Sequence, residues 1–159
     1  MPSTYEPIAT TTVSGSSTST ISFSSIASTY TDLYLVTQGG LANSGGFAIR
    51  FNGDTGTNYS RTFLKGNGTS ATSGRGSNEY PVYCSSDGTN QVNRFAIMNY
   101  SNTTTYKTMI TRGDEAANSA ITFVVLWRST SAINQVEVIC PGTNFNSGFT
   151  ATLYGIKSA

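Results

Sequence analysis

The most apolar run of the chain, residues 120–127 (AITFVVLW), constrains its fold more than any other segment. Eight residues rich in β-branched and aromatic side chains suit one β-strand and are too few to span a membrane. Both alternating sets are apolar, with Phe123 and Val125 in one set and Val124 and Leu126 in the other. A strand with two apolar faces is normally buried on both or covered at a subunit contact. We therefore expect this strand at the centre of a sheet.

The remaining sequence favours short strands over helices. Ser and Thr make up 47 of the 159 residues, and both compete with helix formation by bonding to their own backbone. No window shows a convincing helical period, whereas alternating segments recur between turn-forming residues. The 18 aromatic residues (1 Trp, 9 Tyr and 8 Phe) can build a core, which argues against disorder.

These segments predict an all-β fold, an antiparallel two-sheet β-sandwich of jelly-roll type with about eight to ten strands. The clearest hairpin joins residues 94–100 to 106–112, and residues 80–84 suit an edge strand because Pro81 cannot donate to a ladder. The Gly/Ser-rich stretch 66–78 has no core residues and is expected to be an exposed loop. Residues 20–159 are expected to form one domain.

Residues 1–19 are predicted to form an extended N-terminal arm, with 8–13 as its one possible strand. The arm buries few apolar groups against its ordering entropy, so we expect it to lie on a neighbouring subunit. The residues expected to make subunit or lattice contacts, in the arm and in the apolar run, are Tyr5, Pro7, Ile8, Val13, Val124 and Leu126.

The charge pattern argues against nucleic-acid binding. Nine basic and eight acidic residues give a net charge of +1, and no basic run could follow a phosphate backbone. The first residues have no basic and apolar export signal, so neither export nor membrane association is expected. For Cys84 and Cys140, each in or beside an apolar strand, two buried free thiols are favoured over a disulfide.

The side chains that most enzymes use are missing or badly spaced. The chain has no histidine, which removes histidine-based triads and metal sites. Two cysteines 56 residues apart do not form a zinc site. A glycosidase would need two converging carboxylates, for which Asp54, Asp87, Asp114 and Glu115 are the candidates. We predict no enzymatic activity and no cofactor.

Several blocks resemble a family of small virion proteins of tailed bacteriophages, notably those of aquatic bacteria and cyanobacteria. The blocks are YEPIATT (5–11), TYTDL (29–33), RFNGDTG (50–56), NYS (58–60), NYSNTTTYKT (99–108), LWRST (126–130) and TLYGIK (152–157). The resemblance covers nearly the whole chain except residues 74–93. It implies a β-sandwich that assembles as a homotrimer on the particle, and it carries no catalytic motif.

Two roles follow from this resemblance. The first is a capsid decoration (cement) protein, assembled into virions in the host cytoplasm, whose partners are its own copies and the major capsid protein. The second is a short trimeric tail fibre, attached to tail or baseplate proteins, that recognises host surface glycan. The residues of the possible host-contact loop are Asn67, Arg75, Asn78, Tyr80 and Tyr83.

Overall fold

The computed structural model describes residues 4–43, 46–83, 91–115 and 119–157, with the side chains of residues 114 and 115 excluded. These residues form twelve β-strands and no helix. The strands are β1 (Tyr5–Thr12), β2 (Thr20–Phe23), β3 (Asp32–Gly39), β4 (Ala48–Phe51), β5 (Tyr59–Gly66), β6 (Ala71–Glu79), β7 (Val82–Tyr83), β8 (Gln91–Met98), β9 (Lys107–Glu115), β10 (Ser119–Trp127), β11 (Val136–Ile139) and β12 (Thr150–Ile156).

The strands build two antiparallel sheets that pack face to face, which confirms the predicted β-sandwich. The large sheet has the order β1-β12-β3-β8-β9-β10-β5-β6, and the small sheet has the order β2-β11-β4-β7. After β2 the chain passes repeatedly from one sheet to the other, so pairing partners are far apart in sequence. The jelly-roll detail stays a prediction, because sheets of eight and four strands depart from the usual eight-stranded form.

The apolar run forms β10, which pairs with β9 on one side and β5 on the other. It is an interior strand but lies third from one edge, so its predicted central position is wrong. Phe123 and Val125 are buried between the sheets, whereas Val124 is 46% exposed on the opposite face. The sequence left two expectations for the second apolar face of this strand: burial within the chain or cover at a subunit contact. The exposure of Val124 excludes the first, and the second stays a prediction.

Aromatic rings fill the core next to β10. Trp127 lies 5.5 Å from Phe51 and 6.3 Å from Tyr59, measured between ring centroids. The buried Tyr59 hydroxyl accepts a hydrogen bond of 3.0 Å from the Phe51 amide, and burial raises the pKa of Tyr59. This cluster connects the small sheet to the large one through rings from β4, β5 and β10.

The predicted exposed loop 66–78 is wrong in part, because most of it forms the edge strand β6. Only residues 67–70 make the turn, where the Asn67 side-chain oxygen accepts hydrogen bonds from the Thr69 and Ser70 amides. An edge strand gains its ladder bonds without burying side chains, so it needs no apolar alternation. A Cβ at Gly74 would meet the Phe63 ring at 2.5 Å, so the glycine leaves room for this aromatic cover.

The N-terminal arm is not confirmed, because residues 5–12 form β1 at the other edge of the large sheet. β1 pairs with β12, and the register shifts between Pro7 and Ala9. This irregularity and the proline are devices that discourage an edge strand from pairing with another sheet. Val13 then enters the core with 3% exposure.

Candidate functional site

The large sheet has one face against the small sheet and a second face, the outer face, that no described residue covers. Its most exposed apolar side chains are Leu64, Tyr5 and Val124, at 64%, 52% and 46% exposure. Contiguous exposed apolar surface commonly marks an interaction site in a soluble protein. The outer face is therefore the principal candidate site, and its two halves differ in chemistry.

The half formed by β1, β12 and β3 carries an aromatic surface, the tyrosine patch, made of Tyr5, Pro7, Tyr34, Tyr154 and Ile156, with Asp32 beside Ile156 at its margin. Strand register places these residues side by side on the outer face. The rings of Tyr5 and Tyr34 meet edge to face, with centroids 5.9 Å apart and an interplanar angle of 82°. Tyrosines that are rigid and partly exposed supply large contact area at low entropic cost, as in protein interfaces.

A polar cluster beneath β1 holds the tyrosine patch in place. Glu6 of β1 forms an ion pair with Lys157, and the Tyr30 hydroxyl donates to Glu6 at 3.4 Å. The Lys157 hydrogen bond lowers the pKa of Glu6, and the same bond raises the pKa of Lys157. The Tyr30 ring also packs on Gly155, where a Cβ would lie only 2.3 Å from it. β1 is thus held to the large sheet by side-chain contacts as well as by its backbone hydrogen bonds to β12.

The half formed by β8, β9, β10 and β5 contains a hollow of about 560 Å³, the arginine groove. Arg94 and Arg112 lie directly opposite each other across β8 and β9, and both are exposed. The outward-facing side chains beside them are Leu64, Val92, Ala120 and Thr122, whereas Lys65 borders the groove from a position opposite the buried Ile121. A hollow of about 290 Å³ lies next along the same strands, between Arg75, Val124 and Leu126.

The nine lysines and arginines divide into two groups. Five have hydrogen-bond or ion-pair partners within the chain: Arg50, Arg61, Lys107, Arg128 and Lys157. Four have none among the described residues, and all four line the two hollows: Lys65, Arg75, Arg94 and Arg112. Of these four, Arg75, Arg94 and Arg112 occupy outward-facing strand positions, so positive side chains without a described partner collect on this half of the outer face.

On the exposed side of the small sheet, by contrast, the charged side chains of Arg50 and Glu137 are paired within the chain. Arg50 donates to Glu137 at 2.6 and 2.9 Å and to the Tyr80 hydroxyl at 2.9 Å. Hydrogen bonding from Arg50 lowers the pKa of Glu137, and the same pairing raises the pKa of Arg50.

A hollow of about 260 Å³ lies beside Tyr80 and Cys140. Cys140 is a buried free thiol, as predicted, and burial raises its pKa to about 12, whereas Cys84 lies outside the described residues.

The predicted contact residues divide between the two faces. Tyr5, Pro7, Val124 and Leu126 all lie on the outer face, as a contact surface requires. Val13 is a correction, because its side chain is buried in its own core and is not accessible to a neighbour. Ile8 also packs against that core.

The residues predicted for host contact do not form one surface. Asn67 and Asn78 lie at opposite ends of the β5–β6 hairpin, and Asn78 accepts a hydrogen bond of 2.8 Å from Arg128. Tyr80 packs against the core, and Tyr83 belongs to the small sheet. Arg75 is on the outer face, where it belongs with the groove instead.

The arginine groove was not predicted, although part of it has a sequence signal. In a hairpin closed by the predicted connection 101–105, symmetrical pairing from residues 100 and 106 places Arg94 opposite Arg112. The register with β5 and β6 that brings Leu64 and Arg75 to the outer face depends on long-range pairing, which no local pattern predicts.

The carboxylates considered for catalysis are not assembled into a pair among the described side chains. Asp54 accepts hydrogen bonds of 2.7 Å from the Trp127 indole and 2.8 Å from the Gly56 amide. Burial opposes ionisation of Asp54, but the bonds from Trp127, Asn58 and Gly56 outweigh it and lower the pKa. Asp87 and the side chains of Asp114 and Glu115 lie outside the described part of the chain.

The described residues contain no group of three or more His, Cys, Asp or Glu side chains that could hold a metal ion. Over the same residues, no helix is long and apolar enough to cross a membrane. Comparisons of this chain with protein-family models, with curated proteins and with solved structures give no match. A function must therefore be argued from the geometry of the outer face and from the sequence resemblance.

Proposed function

We propose that this protein is a structural component of a bacteriophage virion, a homotrimeric decoration (cement) protein that stabilises the capsid lattice. The observation that carries the proposal is the uncovered outer face of the large sheet, where apolar and aromatic side chains are exposed. In this proposal the protein acts by shape and association, on the virion and after assembly in the host cytoplasm, without catalysis or a cofactor.

The tyrosine patch is the proposed contact between protomers. Its five side chains carry no charge and Asp32 lies only at its margin, so three copies can meet there without opposing like charges at the centre of the contact. Its aromatic residues are of the type enriched in interface centres, where a few side chains carry most of the binding energy. The arginine groove is a poor choice for this contact because self-association would bring arginines towards one another.

The mass of the protein in solution tests the trimer. The chain has a mass of 16.8 kDa, so a trimer weighs about 50 kDa (3 × 16.8). Tyr34→Glu places a charge in the middle of the patch and should shift the native mass towards that of the monomer, because an unpaired interfacial charge costs several kcal/mol. Tyr106→Glu, at a residue 54% exposed in a turn, is the matched control and should leave the mass unchanged. A wild-type protein that stays monomeric at micromolar concentration would contradict the trimer.

The position on the particle requires a separate experiment. Virions stripped of the protein should lose resistance to heat, and adding the purified protein back should restore it. Quantitative mass spectrometry of virions should give a copy number that matches the capsid lattice. Unchanged heat resistance, or a copy number as low as that of a tail component, would contradict a capsid role.

The alternative, a trimeric tail-fibre protein that binds host glycan, is favoured by one feature, the hollow beside Tyr80 and Pro81. Aromatic rings beside a hollow can stack on sugars, but the hydroxyl of Tyr80 already binds Arg50 and its ring packs on the core. We place this role second for that reason. Saturable binding of the purified protein to a glycan array, abolished by Tyr80→Ala, would reverse the order.

A further inference from the structure

The arginine groove has a chemistry that the proposed trimer contact does not use. We infer that it binds a carboxylate-bearing, aliphatic segment of a different protein. This inference goes beyond the proposed trimer and depends only on the groove itself. On a virion, the protein beneath the decoration trimer would supply the segment.

No described side chain compensates the positive charge of the groove. Arg94 and Arg112 form a direct cross-strand pair of like charge, an arrangement that destabilises a sheet. The nearest acidic position is Asp114, two residues beyond Arg112 on β9, whose side chain lies outside the described part. Even with that charge counted, Arg94 and Arg112 leave the described part of the groove positive. A bound carboxylate would accept charge-assisted hydrogen bonds from the guanidinium groups and remove the repulsion.

The walls of the groove indicate which anion fits. Leu64, Val92 and Ala120 are aliphatic, and the groove has no aromatic side chain among its lining residues. Sugars and unpaired bases are usually held by stacking on aromatic rings, so the lining favours neither. The surface is a hollow rather than a convex or flat area, which disfavours contact with a lipid bilayer. An extended segment with alternating acidic and aliphatic side chains matches both the charge and the walls.

A second copy of this chain is a poor source of that segment. The five acidic residues with described side chains are all engaged within their own chain. Glu6 binds Lys157, Asp32 accepts from the Asn99 amide, Asp54 accepts from Trp127, Glu79 pairs with Arg61, and Glu137 pairs with Arg50. Among the described acidic side chains, none is free to fill the groove of a second copy, and we assign the segment to another protein.

A titration with defined peptides tests the inference. The probe is the capped hexapeptide (Glu-Val)3, with (Gln-Val)3 and (Lys-Val)3 as matched controls, added to the isotope-labelled protein and followed by NMR. We expect saturable shifts confined to the amides of β5, β8, β9 and β10, with a dissociation constant at or below about 1 mM. Binding should weaken as salt is raised. The two control peptides should cause no saturable change.

Charge variants locate the binding. Arg94→Gln and Arg112→Gln should each weaken (Glu-Val)3 binding about tenfold or more, the effect of losing charge-assisted hydrogen bonds. Lys157→Gln removes the same charge at the far edge of the sheet and should have no such effect.

Four outcomes would overturn the inference: no saturable shift with (Glu-Val)3, equal binding of (Gln-Val)3, insensitivity to both arginine variants, or tighter binding of a heparin hexasaccharide than of the peptide. The last outcome would assign the groove to an anionic polysaccharide. If Arg94→Gln alters the native mass instead, the groove is a contact between copies of this chain. The titration and the mass measurement of Tyr34→Glu fail independently, so the inference and the proposed trimer are tested separately.

Discussion

Replacing Gly155 with alanine should destabilise the protein, because the new Cβ would meet the Tyr30 ring. The Cβ would lie 2.3 Å from Cδ1 of Tyr30, about 1.1 Å inside the 3.4 Å of an ordinary contact. Three ring atoms lie within 2.5 Å, so the whole ring must move. The ring cannot move alone, because its hydroxyl binds Glu6 and thereby helps to attach β1.

The magnitude follows from the cost of overpacking. Forcing an extra methyl group into a packed site typically costs about 1–3 kcal/mol, and a contact this short with an aromatic ring should cost about 2 kcal/mol. For a domain of this length, that corresponds to a fall in melting temperature of about 4–8 °C. The change should also loosen β1, so that its amides exchange with solvent faster than those of β10.

Thermal unfolding followed by the fluorescence of Trp127, the single tryptophan, measures the effect. Gly15→Ala is the matched control, since a Cβ there would meet nothing within 4 Å, and it should leave the melting temperature unchanged or slightly raised. In a Tyr30→Ser background, Gly155→Ala should cost less than about 0.5 kcal/mol, a coupling of about 1.5 kcal/mol between the two positions. An equal cost of Gly155→Ala in both backgrounds would refute the packing of Tyr30 on this glycine.

Three further predictions concern the polar and reactive groups of the core and small sheet. Hydrogen bonding from Arg50 holds the pKa of Glu137 below 4.5, so its stabilising contribution should be complete above that pH and lost as the pH falls through the folded-state pKa. Chemical unfolding at pH 7 and pH 3 should therefore show a destabilisation by Glu137→Gln that shrinks in acid, and an equal difference at both values would contradict the pairing. In a Cys84→Ser background, Cys140 should react with a thiol reagent only on unfolding, because burial raises its pKa to about 12, and rapid labelling of the folded protein would refute its burial. Tyr100→Phe should cost about 1–3 kcal/mol in urea unfolding, since its buried hydroxyl bonds two backbone groups ahead of β3, and a cost near zero would show that water replaces it.

The sequence predicted strands correctly where one face is buried. The run at residues 120–127 became β10, and the hairpin at 94–100 and 106–112 became β8 and β9, because alternating apolar residues there report the core directly. The short strand β7 lies at an edge of the small sheet, as expected next to Pro81, which has no backbone N–H to donate.

The errors in the prediction fall at the edges of the large sheet. β1 and β6 are exposed on much of both faces. Backbone hydrogen bonds to the neighbouring strand hold them in the sheet, and such bonds do not require an alternating pattern of apolar side chains. For Val124 and Leu126 the sequence left two alternatives open, burial within the chain or cover at a subunit contact, and their place on the outer face excludes the first. Apolar residues on a surface and in a core look alike in sequence.

The pairing of first with last strands has a consequence for biosynthesis. β1 pairs with β12, and β2 pairs with β11, so neither sheet can be completed before the C-terminal residues have left the ribosome. Until then, β3 lacks its β12 neighbour and the apolar faces of both unfinished sheets are open to other chains. Such a chain should fold slowly and only once β12 has left the ribosome. Nascent chains stalled before β11 should therefore be captured by chaperones or proteases, whereas chains in which β12 has left the ribosome should escape them.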